Sequence, residues 1–323
     1  MTYAERGSPG GKPKIAKKPA VRPRRKVGDG RLAGAGDVKL VFFGSGPVAA
    51  ATLRFLDEHF EIEAVITKPR QPHHRGEVPV LDFLATKDIP HYTASNSSEV
   101  SVLLAEKPFK SPLGVVVDFG IILSEEVNKA FPKGLLNSHF SLLPQWRGAD
   151  PISFAILSGQ AETGVSLMLI VEKLDEGPLL SQEKVFIGPD ITTPELTKQL
   201  TELSNKLLLR DIPKYLEAKL QPYPQPAGVP TYSRKLSKND GVIDWQKPAR
   251  QLEREVRAYQ GWPKSRSNLF GHDVIITKAR LANNQTDGEL VMSAKPGWLE
   301  IQELIAPSGR TMSGADFLRG YHR

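Results

Sequence analysis

Val38-Lys39-Leu40-Val41-Phe42-Phe43-Gly44-Ser45-Gly46-Pro47 reads as a short apolar strand and a glycine turn, followed by a helical pattern over 48–58. Strand, tight turn and helix in that order are the opening of an α/β unit. Moving outward, 61–67, 113–117 and 135–139 read as further strands, and 80–87, 97–107 and 124–130 as helices. Strands that alternate with helices form a mostly parallel sheet with both faces covered, so the N-terminal domain is expected to be α/β and Rossmann-like. Ligands of such sheets bind outside the carboxyl ends of the strands, where Asp118, His139 and Asp175 are expected. Gly44-x-Gly46-x-x-Ala49 matches a permissive dinucleotide fingerprint, but Thr67-Lys68 stands where the ribose-binding acid belongs, so the glycines are read as a turn.

Farther along, Leu196, Leu200, Leu203, Leu207, Leu208 and Ile212 recur at helical spacing, and Pro194 sits in the first turn, which predicts a core-facing helix over 193–216. Gln221-Pro222-Tyr223-Pro224-Gln225-Pro226-Ala227-Gly228-Val229-Pro230 is an extended, semi-rigid linker. After a helical stretch over 248–258, short β runs appear around Leu269 and over 273–279, 289–292 and 298–305, so the second domain is smaller and mostly β. The expected organisation is a tail over 1–37, a catalytic domain over 38–220, the linker 221–230 and a C-terminal domain over 231–323.

A chain of 323 residues is long enough for two cores. It has no cysteine, which excludes disulfides, thiolate nucleophiles and Cys-ligated zinc and suits a reducing compartment. No apolar run is long enough to span a membrane. His73-His74 is the one close histidine pair; in a Pro- and Arg-containing loop it is expected to be solvated, so no metal is expected. The formal charge of +7 lies entirely in residues 1–37, which hold ten Lys or Arg against three acids and leave the remainder neutral. That tail has almost no large apolar side chains to offset the cost of ordering, and it reads as disordered, either dispensable or weakly attractive to RNA. Its prolines at 9, 13, 19 and 23 argue against an amphipathic targeting helix, and a cytoplasmic location is expected.

Chemistry concentrates in Leu135-Leu136-Asn137-Ser138-His139-Phe140-Ser141-Leu142-Leu143-Pro144 and in Lys173-Leu174-Asp175-Glu176-Gly177. On a strand, Asn137 and His139 share a face and Ser138 turns away. An amide donor suits a carbonyl oxygen gaining negative charge, and an imidazole exchanges protons near neutral pH. Asp175, in a loop after the apolar run 165–171, would orient His139 and favour its cationic form. This set suits acyl transfer to an amine.

These words, with Trp146-Arg147-Gly148-Ala149-Asp150-Pro151, resemble the folate-dependent formyltransferases, and the likeness runs from Val38 to the C-terminus. Leu236-Ser237-Lys238-Asn239-Asp240-Gly241-Val242-Ile243-Asp244-Trp245 looks like the C-terminal domain of those members that act on methionyl-tRNA. The resemblance implies a small open-barrel, OB-like C-terminal domain, 10-formyltetrahydrofolate as co-substrate and initiator methionyl-tRNA as acceptor, with no metal and no membrane, in a monomer. It assigns catalysis to Asn137, His139 and Asp175, and folate binding to Ser141, Leu142, Leu143, Pro144, Asp118, Phe119 and Gly120. Asp118 and Phe119 depart from the small residue and Tyr usual there. Lys68 to Gly76 is short beside the family's acceptor-stem loop, which leaves that task to Arg70 and Arg75. In the second domain Arg234, Lys235, Arg250 and Arg254 are candidates for phosphate contact, and Arg250, Arg254 and Arg257 recur at helical spacing. Tyr259 and Trp262 could stack on an unpaired base, but core packing is the favoured reading. Sugar-nucleotide N-formyltransferases and 10-formyltetrahydrofolate hydrolases share Asn-x-His and the Asp, and a non-catalytic RNA-binding protein is the alternative of another class.

Overall fold

The computed structural model describes residues 38–71, 76–285 and 289–321. The basic tail, His73-His74 and Arg75 lie outside the described residues. Strand β1 (Lys39–Phe43) is buried from Leu40 onward. Helix α1 (Pro47–His59) starts on Pro47, whose missing N–H costs nothing in a first turn, and buries Ala49, Ala50, Leu53 and Leu56. Then come β2 (Glu61–Thr67), α2 (Pro79–Leu84), β3 (His91–Thr93) and α3 (Ser97–Glu106), the last capped by the Asn96 side chain, which accepts from Glu99 N at 3.0 Å. Strand β4 (Leu113–Val116), α4 (Glu125–Lys129) and β5 (Leu135–His139) complete the run. The expected helix over 80–87 stops at Leu84, because Thr86 N and Lys87 N turn back onto Phe83 O and Leu84 O in a tighter, three-residue pattern.

The second half holds β6 (Arg147–Gly148), α5 (Pro151–Ser158), β7 (Glu162–Leu169), β8 (Leu179–Phe186), α6 (Thr193–Leu216) and β9 (Tyr232–Ser233). It continues with α7 (Ala249–Ala258), β10 (Ser265–Leu269), β11 (His272–Ala282), β12 (Val291–Ser293), β13 (Trp298–Ile305), β14 (Thr311–Ser313) and α8 (Gly314–Tyr321). One sheet has seven strands in the order β3-β2-β1-β4-β5-β7-β8, and every pairing from β3 to β5 is parallel. This is the Rossmann-like, mostly parallel arrangement expected. Seven elements have no counterpart in the sequence reading: the short strands β3, β6, β9 and β14, and α5, β8 and α8. Helix α5 is apolar almost throughout and shows no period, β8 is buried mainly at Leu179 and Leu180, and α8 is a short terminal helix.

The chain divides into two compact units. The first holds the described residues up to Ser138 with Leu167–Leu180 and Asn205–Tyr223, and the second holds His139–Ser166, Ser181–Ser204 and the described residues from Pro224 onward. In the first, Val41, Phe43, Ile66, Val116, Phe119, Phe131 and Leu135 form one buried cluster. In the second, a five-stranded sheet runs β10-β11-β13-β12 with β14 added beside β13, and its printed pairings are antiparallel. Register shifts between β11 and β13 around Ile276, Lys278 and Ala279 increase the local twist, and the sheet curls into a half-barrel. Leu252 and Val256 of α7 and Phe317 of α8 fill it. Phe317 is fully buried and stacks on Tyr321 with centroids 4.8 Å apart. Phe317→Ala is predicted to cost roughly 3–5 kcal/mol in urea unfolding, as transfer loss and cavity add.

Candidate active site

Strand β5 places the two central side chains. Leu135 and Leu136 are buried, and Val116 of β4 lies opposite Asn137 in the parallel ladder. Asn137 remains half-buried, whereas His139 is 6% exposed. The His139 Nε2–H donates to Trp146 O at 2.9 Å. Since a carbonyl only accepts, that contact fixes which ring nitrogen carries a proton. The chain between them is folded back by a polar network that sequence reasoning did not find. Ser166 Oγ donates to Ser141 O at 2.6 Å and accepts from Leu143 N at 3.0 Å, while Gln182 Nε2 donates to both Leu143 O and Ser166 Oγ at 2.8 Å. Ser141 is itself buried and donates to Gln145 O at 2.5 Å. Of the four residues from Ser141 to Pro144, Ser141 and Leu143 are therefore packed inside, and Leu142 and Pro144 keep partly exposed side chains. A serine within an apolar strand is the only signal by which Ser166 could have been suspected.

Beyond β4 the backbone turns through Asp118 and Gly120 at positive φ, 45° and 64°. Phe119 points into the core and meets Phe43 edge-on at 5.7 Å, so it is a packing residue there and no wall of an open pocket. The Asp118 carboxylate lies over Gly46, where any Cβ would come within 1.8 Å of Oδ2. Ser45 N donates to Asp118 O at 3.2 Å, Ser45 Oγ donates to Phe119 O at 2.8 Å, and Lys68 Nζ donates to Gly120 O at 2.8 Å. The glycine turn is thus a close approach of two loops, and a carboxylate from the chain sits at the amino end of α1, where the helix dipole favours negative charge. Asp175 is 7% exposed at a φ of 54° in the loop between β7 and β8. Ile170 N donates to Leu135 O, so the end of β7 lies beside the start of β5. The loop carrying Asp175 consequently starts beside Leu135. Asn128, also missed, joins the two, donating to Ile170 O and accepting from Leu135 N, both at 3.0 Å.

The pattern of the formyl transferase N-terminal domain matches residues 38–212, and that of the formyl transferase C-terminal domain matches 235–322. The methionyl-tRNA formyltransferase of Roseiflexus castenholzii is 33% identical over 301 residues, covering 88% of this chain and 96% of that protein. The chain belongs to the formyl transferase family. Among solved structures, the N-formyltransferase from Helicobacter canadensis, in complex with folinic acid and dTDP-3-aminofucose, shares the fold. Its TM-score is 0.64 at 19% identity, covering 82% of this chain and 98% of the other. HypX from Aquifex aeolicus in complex with tetrahydrofolic acid has a TM-score of 0.59 at 16% identity, covering 87% of this chain, which spans 46% of the HypX chain.

Within this formyltransferase the candidate phosphate contacts divide by what already occupies them. Arg70 donates to Asp82 Oδ1 at 3.1 Å and to Gly76 O at 3.0 Å. Arg234 clasps Asp240, which also accepts from Ser237 N and Oγ, and the guanidinium hydrogen bond is the leading cause that holds the Asp240 carboxyl far below the usual carboxylate range. Arg254 donates to Ser158 O at 3.2 Å and fills the space beside Gly159. Arg257 grips Glu253 and donates to Ile191 O at 3.1 Å. The helical stripe is therefore largely spent on the protein itself, and among the expected contacts only Lys235 and Arg250 are exposed without an ion pair among the described residues. Tyr259 is buried, and burial pushes its hydroxyl up to about 12, whereas Trp262 is 56% exposed, contrary to its reading as core. Among the described residues there is no group of three or more His, Asp or Glu side chains that could hold a metal ion, and no helix is long and apolar enough to cross a membrane.

Ser166→Ala removes the donor to Ser141 O and the acceptor of Leu143 N. It is predicted to cost about 1–3 kcal/mol by urea unfolding, the usual penalty for buried polar groups left unpaired. The Arg234–Asp240 pair predicts a pH signature. A carboxylate held down in the folded state contributes stability above its ordinary value of 3.8, and the contribution is lost as pH falls through the depressed folded value. Arg234→Met should be less stable than wild type near neutrality, and the two denaturation midpoints should converge as acid protonates Asp240.

Proposed function

We propose that this formyltransferase moves the formyl group of 10-formyltetrahydrofolate to the α-amine of methionine on initiator methionyl-tRNA. The observation that carries the reading is the pair Asn137 and His139, two positions apart on one face of β5, with the ring of His139 held by Trp146 O and the Ser141 to Pro144 loop directly following. Leu142 and Pro144, partly open and apolar, suit one face of a flat pterin ring. The folate supplies an activated formyl carbon.

As the amine forms its bond to that carbon, charge develops on the formyl oxygen. Asn137 donates its amide hydrogen to the oxygen, and protonated His139 donates beside it. Asp175 keeps His139 oriented and assists removal of the proton that the amine loses. When the carbon–nitrogen bond to folate breaks, the electron pair returns to the folate nitrogen, which takes up a proton, and the carbonyl re-forms on the methionine amide. In this reading 38–220 performs the chemistry, 221–230 is the linker and 231–323 holds the tRNA, in a cytoplasmic monomer. Lys235, Arg250 and, from outside the described residues, Arg75 are the cations best suited to phosphate.

Tetrahydrofolate release from 10-formyltetrahydrofolate tests the proposal, with Met-charged initiator tRNA, uncharged tRNA or no acceptor. Release that requires the charged tRNA is the expected outcome, and equal release in all three would make the protein a hydrolase. Asn137→Ala and His139→Ala are each expected to lower kcat by roughly 100- to 1,000-fold, the scale for loss of one oxyanion donor, with folding retained. Near-normal turnover in His139→Ala or Asp175→Ala would sink the mechanism.

A further inference from the structure

Trp262 lies far out of the core for so large an apolar side chain, at 56% exposed, three residues after the buried Tyr259. Its position is nonetheless set: the indole Nε1–H donates to Leu236 O at 3.3 Å. From there a short bonded path leads to the catalytic histidine within the second unit. Leu236 N donates to Asp150 Oδ2 at 2.7 Å, Asp150 precedes α5, and the neighbouring Arg147 and Gly148 pair in register with Tyr232 and Ser233. Trp146 N donates to Thr231 Oγ1 at 2.9 Å, and Trp146 O accepts from His139 Nε2. The exposed indole and the histidine are thus linked by a series of bonds between side chains and backbone, joined through the pairing of 147–148 with 232–233.

Basic residues lie on the segments that meet at that indole. Arg266 donates to Lys238 O, and Gly241 packs against Lys264 O so closely that a Cβ would meet it at 2.1 Å, which brings the 235–241 and 262–266 segments side by side. Lys235, Lys238 and Lys264 are exposed on these segments and form no ion pair among the described residues. Of the nearby acids, Asp240 is neutralised by Arg234, and Asp244 accepts from Gln246 N. An exposed aromatic face beside uncompensated lysines is the arrangement that stacks an unpaired base and holds the adjoining phosphates.

We infer that Trp262 stacks on an unpaired base in the single-stranded acceptor end of the tRNA, and that Lys235, Lys238 and Lys264 hold the phosphates next to it. The inference rests on the reading of aminoacyl-tRNA as acceptor, and it adds a base-stacking site to the phosphate contacts already considered. A single-stranded end is the one part of a tRNA that is both unstacked and continuous with the amine to be formylated, so the bonded path to His139 favours it over a loop elsewhere.

The test is binding of deacylated initiator tRNA to the full chain, which requires no turnover. Trp262→Ala should weaken binding by about 5- to 150-fold, the range for loss of one base–aromatic stack, without changing the salt dependence. Trp262→Phe should retain most of the affinity, because it keeps a stacking ring and gives up only the bond to Leu236 O. Lys238→Gln and Lys264→Gln should each lower the salt slope by about one. With tRNA trimmed of its single-stranded 3′ nucleotides, wild type and Trp262→Ala should bind alike. In turnover with Met-charged tRNA the loss should fall on KM. Unchanged binding by Trp262→Ala, an equal loss in Trp262→Phe, or a Trp262→Ala defect that persists with trimmed tRNA would each overturn the inference. Failure of the wild type to formylate Met-charged tRNA would instead count against the acceptor reading, and the binding comparison would still decide the role of Trp262.

Discussion

The Ser166 hydroxyl, buried on β7, donates to Ser141 O and accepts from Leu143 N and Gln182, and the loop beyond β5 depends on it. A chain leaving a buried strand carries polar backbone into an apolar interior, where an unpaired carbonyl or amide is costly. One side-chain oxygen satisfies both kinds of group here, and the amide of Gln182 completes the set. With 141–143 so held, Ser141 Oγ reaches Gln145 O, the turn closes, and Trp146 presents its carbonyl to His139. The orientation of the imidazole is thus inherited from buried backbone accounting several residues away.

Close approach is the corresponding constraint in the first unit. Gly46 admits the Asp118 carboxylate, Ser45 ties down the backbone at Asp118 and Phe119, and Lys68 holds Gly120 O. Phe119 is drawn into the core against Phe43, which leaves backbone groups, and the charged Asp118, to face outward from this turn. The departure from an aromatic hydroxyl at this position is therefore accommodated by packing, and a phenylalanine suits that burial because it carries no polar atom to satisfy.

Charge in the second unit shows how poorly a basic residue count predicts a binding surface. Arg254 and Arg257 lie on one helix at the right spacing for a stripe, yet one donates to Ser158 O and the other is divided between Glu253 and Ile191 O. Guanidinium groups have several donors in a fixed fork and are readily used up by backbone carbonyls at the ends of neighbouring elements. Lysines on the 235–241 and 262–266 segments escape this, on the same segments that carry Trp262 and its partner Leu236, and Trp262 stands exposed where core packing was the favoured reading.

The sequence by itself determined the alternation of strands and helices, the extent of β5 and of α6, and the shared face of Asn137 and His139, because apolar periodicity and strand pleat are local properties. It also carried the family words around His139 and Asp175. Only the tertiary structure decided that Ser166, Gln182 and Asn128 support the site, that the loop bearing Asp175 leaves β7 beside the start of β5, that Phe119 and Tyr259 are inside and Trp262 outside, and which arginines are spent. Each of these depends on a partner distant in the chain, and hydrogen-bond partners and burial are set by which segments meet in three dimensions, a relation that no local pattern encodes.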